Sequence, residues 1–380
     1  MTDKLLFTPG PLTTSSTVKE AMLHDLGSRD RHFIDRVAAV RARLLGIAGV
    51  AEPEYAAIPM QGSGTFGIEA ALGSAISRGG KLLVGINGAY GARIAHIARV
   101  LGICCEVLEV AESERLPPQK FADALARDPH LSHVAVVHCE TSTGLCNELA
   151  AIGAVVRQHG RRFLVDAMSS FAGMPIDLQA AAVDVLITSA NKCLEGVPGF
   201  SIVIARRAAL AEAAGSARSV SLDLSAQLRG LDQDGQFRFT PPTHALLACD
   251  QALTELAAEG GVAARAQRYR KNHETLRRGM SALGFRSFLP VADQSPIITA
   301  YYYPEHPGFA FPRFYQALAD RGYVIYPGKV SRAECFRIGT IGRIDSSHIQ
   351  GLLAAIGAVL NEMGLPVPRP AAAGPHPEAA

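Results

Sequence analysis

The stretch RFLVDAMSSFAGMPIDLQAAAVDVLITSANKCLEGVPGF, residues 162–200, contains the two apolar runs that decide the fold. RFLVDA from Arg162 and VDVLIT from Val183 are both short, rich in Val, Leu and Ile, and followed by polar or glycine-containing segments. Continuous apolar runs of this length are typical of strands buried on both faces of a parallel sheet. The separation between them fits two successive parallel strands joined by one crossover.

The same pattern extends in both directions along the chain. From about Met60 to Ala205, short apolar runs alternate with helical patterns of small residues. The further predicted strands are KLLVGI from Lys81, CCEVLEV from Cys104, HVAVVH from His133 and FSIVIA from Phe200. This alternation predicts an α/β fold with a mostly parallel central sheet that is covered by helices.

The second half of the chain differs in its pattern. A helical pattern from about His244 through Arg278 leads to two further strands, SPIITAYYY from Ser295 and YVIYPG from Tyr323, which predict a smaller C-terminal α+β domain. We expect an N-terminal segment (1–14) near the active site, a large cofactor-binding domain (15–255), the small domain (256–365) and a disordered Pro- and Ala-rich tail (366–380).

The composition excludes several classes of function. The 380 residues carry a net charge of +2, which favours neither a nucleic-acid partner nor a membrane surface. The seven cysteines lack the spacing of a zinc site, so we expect reduced thiols and no metal. Apolar stretches are too short for a signal sequence or a membrane span, so the expected location is the cytoplasm.

Lys192 and Asp166 are the candidate catalytic residues. Both follow predicted strands, and ligands of open α/β sheets bind beyond the carboxyl ends of the strands. A lysine with a lowered pKa can form a Schiff base, and a lone carboxylate can hold a proton on a pyridine nitrogen. Taken singly, Lys192 fits a solvated loop lysine and Asp166 fits a helix N-cap.

A glycine-rich turn precedes the first helix of the predicted sheet domain. In QGSGTFGIEAALGSAI, Gly64 lies between Ser63 and Thr65, and the turn presents backbone N–H groups at a helix N-terminus. A phosphate group binds well in such a place. The alternative is an ordinary N-cap at Ser63 or Thr65, and the segment lacks the lysine of a P-loop.

Two further loops contain candidate cofactor contacts. Tyr90 in NGAYGAR can stack on a flat ring, although a core tyrosine fits equally well. In HCETSTG, Thr141 or Ser142 can donate a hydrogen bond to a ligand, although either residue also suits a loop turn.

Taken in order, these motifs resemble those of class V, fold-type I aminotransferases, which depend on pyridoxal 5'-phosphate. The resemblance covers nearly the whole chain apart from the tail. It extends from LLFTPGPLTTS at Leu5 to CFRIGTIG at Cys335 and includes QGSGTFGIEAALG, INGAYGAR, HCETSTG, VDAMSSF, SANKCLEGVPGF, FRFTPPTH and YVIYPGKV.

The resemblance implies a role for each matching residue. Lys192 would form the Schiff base and Asp166 would pair with the pyridine nitrogen. The other implied cofactor contacts are Ser63, Gly64, Thr65, Tyr90, Thr141, Ser142, Asn191 and, from the neighbouring subunit of a homodimer, Thr240. Arg337 would bind the acidic group of each substrate, and Arg29 would either assist it or form a structural salt bridge.

The implied reaction is transamination between 2-aminoethylphosphonate and pyruvate, giving phosphonoacetaldehyde and L-alanine during phosphonate catabolism. An alanine- or serine-glyoxylate aminotransferase, a related phosphonate-amine aminotransferase and a cysteine desulfurase remain alternatives on the same fold. A cofactor-binding regulator without turnover is the alternative outside enzymes.

Overall fold

The computed structural model describes residues 3–365, so the predicted tail and the first two residues of the N-terminal segment lie outside the described residues. The strands within this range are β1 Leu5–Leu6, β2 Tyr55–Gln61, β3 Lys81–Ile86, β4 Cys104–Glu109, β5 Leu131–Val137, β6 Cys139–Glu140, β7 Leu145–Cys146, β8 Arg162–Asp166, β9 Val185–Ser189, β10 Phe200–Arg206, β11 Ile298–Tyr302, β12 Tyr323–Val324, β13 Tyr326–Pro327 and β14 Cys335–Gly339.

The helices surround these strands, and two short 3₁₀ turns, Ala21–Leu23 and Val291–Asp293, accompany them. The helices are α1 Ser16–Glu20, α2 Arg31–Ile47, α3 Gly64–Ala75, α4 Ala89–Val100, α5 Pro118–Arg127, α6 Leu149–Gln158, α7 Arg207–Glu212, α8 Leu224–Gln233, α9 Thr243–Glu259, α10 Gly261–Ala282, α11 Phe311–Asp320 and α12 Ser346–Glu362. Across residues 3–365, no helix is both long enough and apolar enough to cross a membrane.

A seven-stranded sheet forms the centre of the larger part, in the order β2-β10-β9-β8-β5-β3-β4. Only β10 runs against its neighbours, β9 and β2, which confirms the predicted mostly parallel sheet. All six strands predicted for this part are present, but the sequence analysis missed β2. Its segment, YAAIPMQ, contains Pro59, and an edge strand tolerates a proline that cannot donate a hydrogen bond.

A separate antiparallel sheet, β11-β14-β13, lies in the C-terminal part and packs with α10, α11 and α12 around a second apolar core. The N-terminal chain joins this part, because β1 pairs in parallel with β12. It continues along β14, where the Gly339 N–H donates to the Phe7 carbonyl at 2.9 Å. A Cβ at Gly339 would lie 2.2 Å from the Thr8 carbonyl oxygen, so only glycine permits this approach.

The long helical pattern after His244 is two helices rather than one. Gly260 and Gly261 have φ angles of +106° and +76°, which break the chain between α9 and α10. Both lie in the left-handed region that glycine adopts most easily. The predicted domain boundary between residues 255 and 256 lies inside α9, and the division into domains stays a prediction.

Candidate active site

A cavity of about 190 Å³ lies beyond the carboxyl ends of β5, β8 and β9, beside the N-termini of α3 and α4. This is the edge at which an open α/β sheet binds ligands. Its lining consists of Ser63, Gly64, Thr65, Tyr90, Arg93, Val137, Cys139, Thr141, Asp166, Met168, Ser169, Ser189, Asn191 and Lys192. Eight of these residues were predicted from the sequence as a cofactor site.

Lys192 follows the end of β9 by three residues and enters this cavity. Its Nζ donates to the carbonyl oxygens of Pro9 and Gly10, each at 2.9 Å. A Cβ at Gly10 would lie 2.5 Å from the Lys192 side chain, so the N-terminal segment needs a glycine to pass here. Burial lowers the pKa of the Lys192 amine. These contacts differ from those of a solvated loop lysine.

Asp166 ends β8 and is 3% exposed. Its Oδ1 accepts a hydrogen bond from the Met168 N–H at 2.9 Å, and its Oδ2 lies 4.0 Å from Arg93 Nη2. Burial raises the pKa of Asp166, against the opposing effects of the Met168 N–H, Arg93 and Lys192. Residues 167–184 form turns rather than a helix, which excludes the helix N-cap alternative.

The glycine-rich turn forms the start of α3. Ser63 is the N-cap residue, but its hydroxyl makes no capping hydrogen bond and is left facing the cavity region with Thr65. A Cβ at Gly64 would lie 2.3 Å from the Met168 sulfur, so the turn packs closely against this flexible side chain, which would have to move if Gly64 were replaced. The positive end of the helix dipole and the first-turn N–H groups therefore point to where a phosphate is expected.

Tyr90 lies in the first turn of α4 and its ring contacts two cations. Lys329 Nζ is 4.1 Å and the Arg93 guanidinium carbon 4.6 Å from the ring centroid. Burial alone would raise the pKa of Tyr90, but hydrogen bonding with Thr141 and the charges of Lys329, Arg337 and Lys192 lower it. The negative face of an aromatic ring attracts cations such as these, and a flat ligand ring can stack on such a side chain.

The structure separates Thr141 from Ser142. Thr141 lines the cavity, whereas Ser142 is fully buried and its hydroxyl donates to Glu140 Oε1 at 2.9 Å. Glu140 also accepts the N–H groups of Tyr90 and Gly91 at 3.1 and 3.2 Å, so it fixes the start of α4. The sequence analysis did not find this role of Glu140.

Three predicted residues lie at or beyond the edge of the cavity. Asn191 is part of the lining, whereas Thr240 is exposed and absent from it. Arg29 is exposed in a turn and makes no ion pair within residues 3–365, so neither role considered for it is visible in the single chain.

Arg337 lies on β14 and is 5% exposed. Its Nε donates to the Pro327 carbonyl at 2.9 Å and its Nη1 donates to the Thr141 carbonyl at 2.8 Å. These two bonds fix the plane of the guanidinium. Of the five N–H groups of an arginine, three then remain, two of them on Nη2, which makes no hydrogen bond to the described part of the chain.

Arg93, Met168 and Ser189 line the cavity but were not predicted as site residues. The Ser189 hydroxyl and the Arg93 Nε are both buried and have no hydrogen-bond partner among the described residues. Such groups are costly unless a ligand or water satisfies them. A signal existed for Ser189, because β9 ends in two polar residues, Thr188 and Ser189, after an apolar run.

The residues present fit pyridoxal 5'-phosphate. The unused hydroxyls of Ser63 and Ser189, with the N-terminus of α3, suit a phosphate dianion. The buried carboxylate of Asp166 has no cation closer than 4.0 Å within residues 3–365, so it suits a protonated ring nitrogen. Lys192 supplies an amine in the same cavity.

Behind Lys192, four charged residues form what we call the buried ion-pair network: Glu195, Glu259, Arg265 and Arg268. Arg268 bridges the two glutamates at 2.8 and 2.7 Å, and Arg265 Nε lies 2.9 Å from Glu259. Arg265 Nη1 also donates to the carbonyls of Cys193 and Leu194 at 2.9 and 3.3 Å. The network therefore anchors the segment after Lys192 to α10.

A second set of charges lies around Tyr90, and we call Arg93, Lys329 and Arg337 the mouth cations, although only Arg93 belongs to the cavity lining itself. Each of them lies near Tyr90. The only carboxylate that pairs with any of them in the described range is Asp166, at 4.0 Å from Arg93. The mouth therefore carries positive charge that the chain itself does not compensate.

A larger cavity of about 710 Å³ lies at the opposite, amino-terminal edge of the central sheet. Its two deepest arginines are already paired, because Asp184 lies 2.9 Å from Arg162 and 3.5 Å from Arg206. It lacks a lysine and an unpaired buried carboxylate. Its size therefore does not outweigh the chemistry of the smaller cavity.

The sequence of this chain is similar to those of known aminotransferases. The family described as aminotransferase class-V matches residues 14–308. A 2-aminoethylphosphonate–pyruvate transaminase from Klebsiella pneumoniae subsp. pneumoniae is 51% identical over 354 residues, which are 93% of this chain and 96% of that protein. A protein of the same name from Vibrio cholerae serotype O1 is 49% identical over 354 residues, with the same shares covered.

Solved structures show the same architecture. The alanine–glyoxylate aminotransferase from Nostoc sp. superimposes with a TM-score of 0.87 at 25% identity, covering 95% of this chain and 96% of that one. The similarity extends through both the central sheet and the C-terminal part, because nearly the whole of each chain is matched.

Proposed function

Because this chain belongs to the class-V aminotransferase family, we propose that it transfers the amino group of 2-aminoethylphosphonate to pyruvate, giving phosphonoacetaldehyde and L-alanine. It is an aminotransferase with the fold of fold-type I pyridoxal-phosphate-dependent transferases. The observation that carries the proposal is one cavity in which Lys192 and Asp166 meet beneath uncompensated cations.

The cofactor of the proposed reaction is pyridoxal 5'-phosphate, which supplies an electron sink for negative charge on the amino-bearing carbon of the substrate. Asp166 would hold the proton on its ring nitrogen, since a buried carboxylate favours a cation beside it. Tyr90 would stack on the ring, and Ser63, Gly64 and Thr65 would bind the phosphate. Thr141 and Asn191, both in the lining, are further proposed contacts.

Lys192 would move the proton between the substrate carbon and the cofactor. A general base works best when its pKa is near the working pH. Burial lowers the pKa of the Lys192 amine, which increases the fraction of free amine at neutral pH. Its two carbonyl acceptors, Pro9 and Gly10, place Nζ at the cavity without neutralising it by a carboxylate.

Arg337 would bind the acidic group of each substrate. Its guanidinium plane is fixed by two carbonyl oxygens, so the remaining N–H groups are oriented before a substrate arrives. Pyruvate and 2-aminoethylphosphonate would use the site in turn, because each carries an acid group at one end, separated from its reacting carbon by at most one methylene group. One arginine therefore serves both halves of the reaction.

The homodimer is part of the proposal. Thr240 is exposed and does not line the cavity of its own chain, as expected for a residue that contacts the cofactor of a partner. Phe239 beside it is 46% exposed and Phe66 on α3 is 50% exposed, which is typical of a surface that a second subunit covers. The location in the cytoplasm stays a prediction, with which the seven free cysteines are compatible.

The alternatives are less well supported. The relatives named for 2-aminoethylphosphonate and pyruvate are about twice as similar in sequence as the alanine–glyoxylate enzyme, at 51% against 25% identity. A cysteine desulfurase needs a mobile, reactive thiol. Cys335 lies in β14, 2% exposed, and burial raises its pKa to about 12.

The test is a half-reaction on the cofactor-loaded protein. Adding 2-aminoethylphosphonate without a keto acid should convert the bound cofactor to its aminated form, seen by absorbance, and release one equivalent of phosphonoacetaldehyde. Adding pyruvate should then restore the starting spectrum and yield L-alanine. A protein that reacts with L-serine and glyoxylate but gives no change with 2-aminoethylphosphonate would overturn the proposal.

A further inference from the structure

The two substrates of the proposed reaction differ in charge, and this inference depends on that reaction. Pyruvate carries one negative charge on two oxygens. A phosphonate, like a phosphate group, has three oxygens and carries up to two negative charges. A site that accepts both must therefore neutralise a variable charge with the same set of residues.

Arg337 alone does not match the larger group. Two of its N–H groups are used by the carbonyls of Pro327 and Thr141, and three remain. A single guanidinium edge with one positive charge suits a carboxylate. It leaves the third oxygen and the second charge of a phosphonate without a partner.

Lys329 is the cation best placed to complete the pairing. Its ammonium lies 4.1 Å from the Tyr90 ring centroid, and that ring also interacts with Arg337. Lys329 makes no ion pair or hydrogen bond with the described residues. Its segment directly follows β13, which pairs with β14, the strand of Arg337, in the register Tyr326 opposite Arg337.

The other nearby cations already have tasks. Arg93 lies 4.0 Å from Asp166 and lines the cavity, so it already has an acidic neighbour. Lys192 is the reacting amine and donates to two N-terminal carbonyls. Of the mouth cations, Lys329 is thus the one without a counter-charge or a carbonyl partner.

The loop that carries Lys329 is anchored at both sides. A Cβ at Gly328 would lie 2.1 Å from the Cys335 carbonyl oxygen, so glycine lets this segment lie directly against β14. Two residues after Lys329, the N–H and hydroxyl of Ser331 donate to Glu112 at 2.9 and 2.8 Å. Lys329 is exposed, but its backbone is held between these two contacts.

We propose that Lys329 forms a second anion contact beside Arg337 and that it selects dianionic phosphonates over monoanionic acids at this site. Arg337 binds whichever acid group is present. Lys329 pairs with the third oxygen and the second negative charge, which the phosphonate has and a carboxylate lacks.

The test uses unreactive ligands that differ only in the acid group. Ethylphosphonate, ethanesulfonate and propanoate lack an amine, and the sulfonate shares the tetrahedral shape of the phosphonate but carries one charge. Their dissociation constants for the cofactor-loaded protein are measured by calorimetry. In Lys329→Gln, we expect the affinity for ethylphosphonate to fall by about tenfold or more, and that for the other two by about threefold or less.

Two matched variants control for general effects of charge. Lys329→Arg keeps a cation and should retain most of the preference for the phosphonate. Arg332→Gln removes an exposed cation from the same loop that has no contact with Tyr90, and it should leave the preference unchanged. Thermal stability should be similar in all three variants, because Lys329 has no protein counter-charge to lose.

Equal loss of affinity for all three ligands in Lys329→Gln would overturn the inference, as would an unchanged preference. An effect of Arg332→Gln as large as that of Lys329→Gln would do the same, because it would indicate only long-range attraction. These results differ from a failure of the proposed reaction, in which the parent protein does not react with 2-aminoethylphosphonate at all.

Discussion

The buried ion-pair network and the mouth cations both lie near Lys192, but their charges are compensated differently. In the network, two arginines face two glutamates, and Arg265 is fully buried. At the mouth, three cations surround Tyr90, and within residues 3–365 only Asp166 lies near one of them. The charges of the network are therefore paired within the described residues, whereas most of the charge at the mouth is not.

This difference separates structural charges from functional ones. Burying an ion is costly unless it is paired, so the network must be compensated by the protein itself at all times. Of the mouth cations, Lys329 is exposed to solvent, and neither it nor Arg337 has a carboxylate partner among the described residues, which leaves the counter-charge to a ligand. We therefore expect changes in the network to alter stability and changes at the mouth to alter substrate binding.

The largest effect is expected at Lys192, which lies near both regions. Lys192→Ala should lower turnover by about 10⁴-fold or more, because the nucleophile and the proton carrier are lost together. Cofactor should still bind, since the predicted phosphate contacts at Ser63 to Thr65 are separate from the lysine. Steady-state rates and bound cofactor are the measurements.

Lys271→Ala on the exposed surface of α10 is the control and should retain normal activity. The proposed catalytic role of Lys192 would be contradicted if Lys192→Ala kept near-normal turnover and only lost stability. Lys192 would then serve merely to tie down the N-terminal segment through Pro9 and Gly10.

The second largest effect is expected in the buried ion-pair network, where a substitution should lower stability. Glu195→Gln should lower the free energy of unfolding by about 3–5 kcal/mol, because it removes one carboxylate from a buried pair. The Arg268 contact at 2.8 Å and the Tyr269 hydroxyl contact at 2.5 Å both end on Glu195 Oε1. Chemical denaturation of the cofactor-loaded protein measures this loss.

Glu274→Gln on α10, the helix of Arg268, gives the matched control, because it breaks an exposed ion pair with Arg278. That change should cost about 0.3–0.5 kcal/mol. The ratio of kcat/KM for the two substrates should stay constant in Glu195→Gln. An altered ratio at unchanged stability would mean that the network, too, acts on substrates.

The third prediction concerns Arg337 and spans the widest range. Arg337→Ala should cost both 2-aminoethylphosphonate and pyruvate about 2–5 kcal/mol of binding or transition-state stabilisation. Arg337→Lys should recover only part, because an ammonium does not reproduce the planar fork. Both half-reactions are measured by single turnover, with cofactor content as the control.

If only pyruvate weakened in Arg337→Ala, the phosphonate would be bound chiefly by another mouth cation. The contrast between the network and the mouth cations would still hold. Among the mouth cations, Arg337 would then bind the carboxylate and another cation would bind the phosphonate. Loss of cofactor from Arg337→Ala would instead indicate a structural role through the Pro327 and Thr141 carbonyls.

Some features of the site were accessible from short segments of sequence. Asp166 and Ser63 each lie at the junction of a regular element and a turn, where a polar residue interrupts an apolar or small-residue pattern. Neighbouring residues were harder to separate. Thr141 and Ser142 are adjacent and chemically alike, but their side chains point to different surroundings, and only the packing against Glu140 distinguishes them.

The sequence by itself determined the central parallel strands, the lysine and aspartate at their ends, and the glycine-rich start of α3. These features depend on local patterns, because a few consecutive residues are enough to indicate a buried strand or the end of a helix. The sequence analysis missed strand β2 because its segment contains alanines and Pro59 instead of the run of branched apolar residues found in the neighbouring strands.

Only the tertiary structure decided which charges are compensated. Glu195 and Arg265 are 70 residues apart, and Tyr90 and Lys329 are 239 apart, so no local pattern links either pair. Whether a cation meets a carboxylate, an aromatic ring or open solvent depends on how the sheet and the C-terminal part pack together. The same residue types therefore form a paired network behind Lys192 and a group of cations without carboxylate partners beside Tyr90, where we propose that the substrates bind.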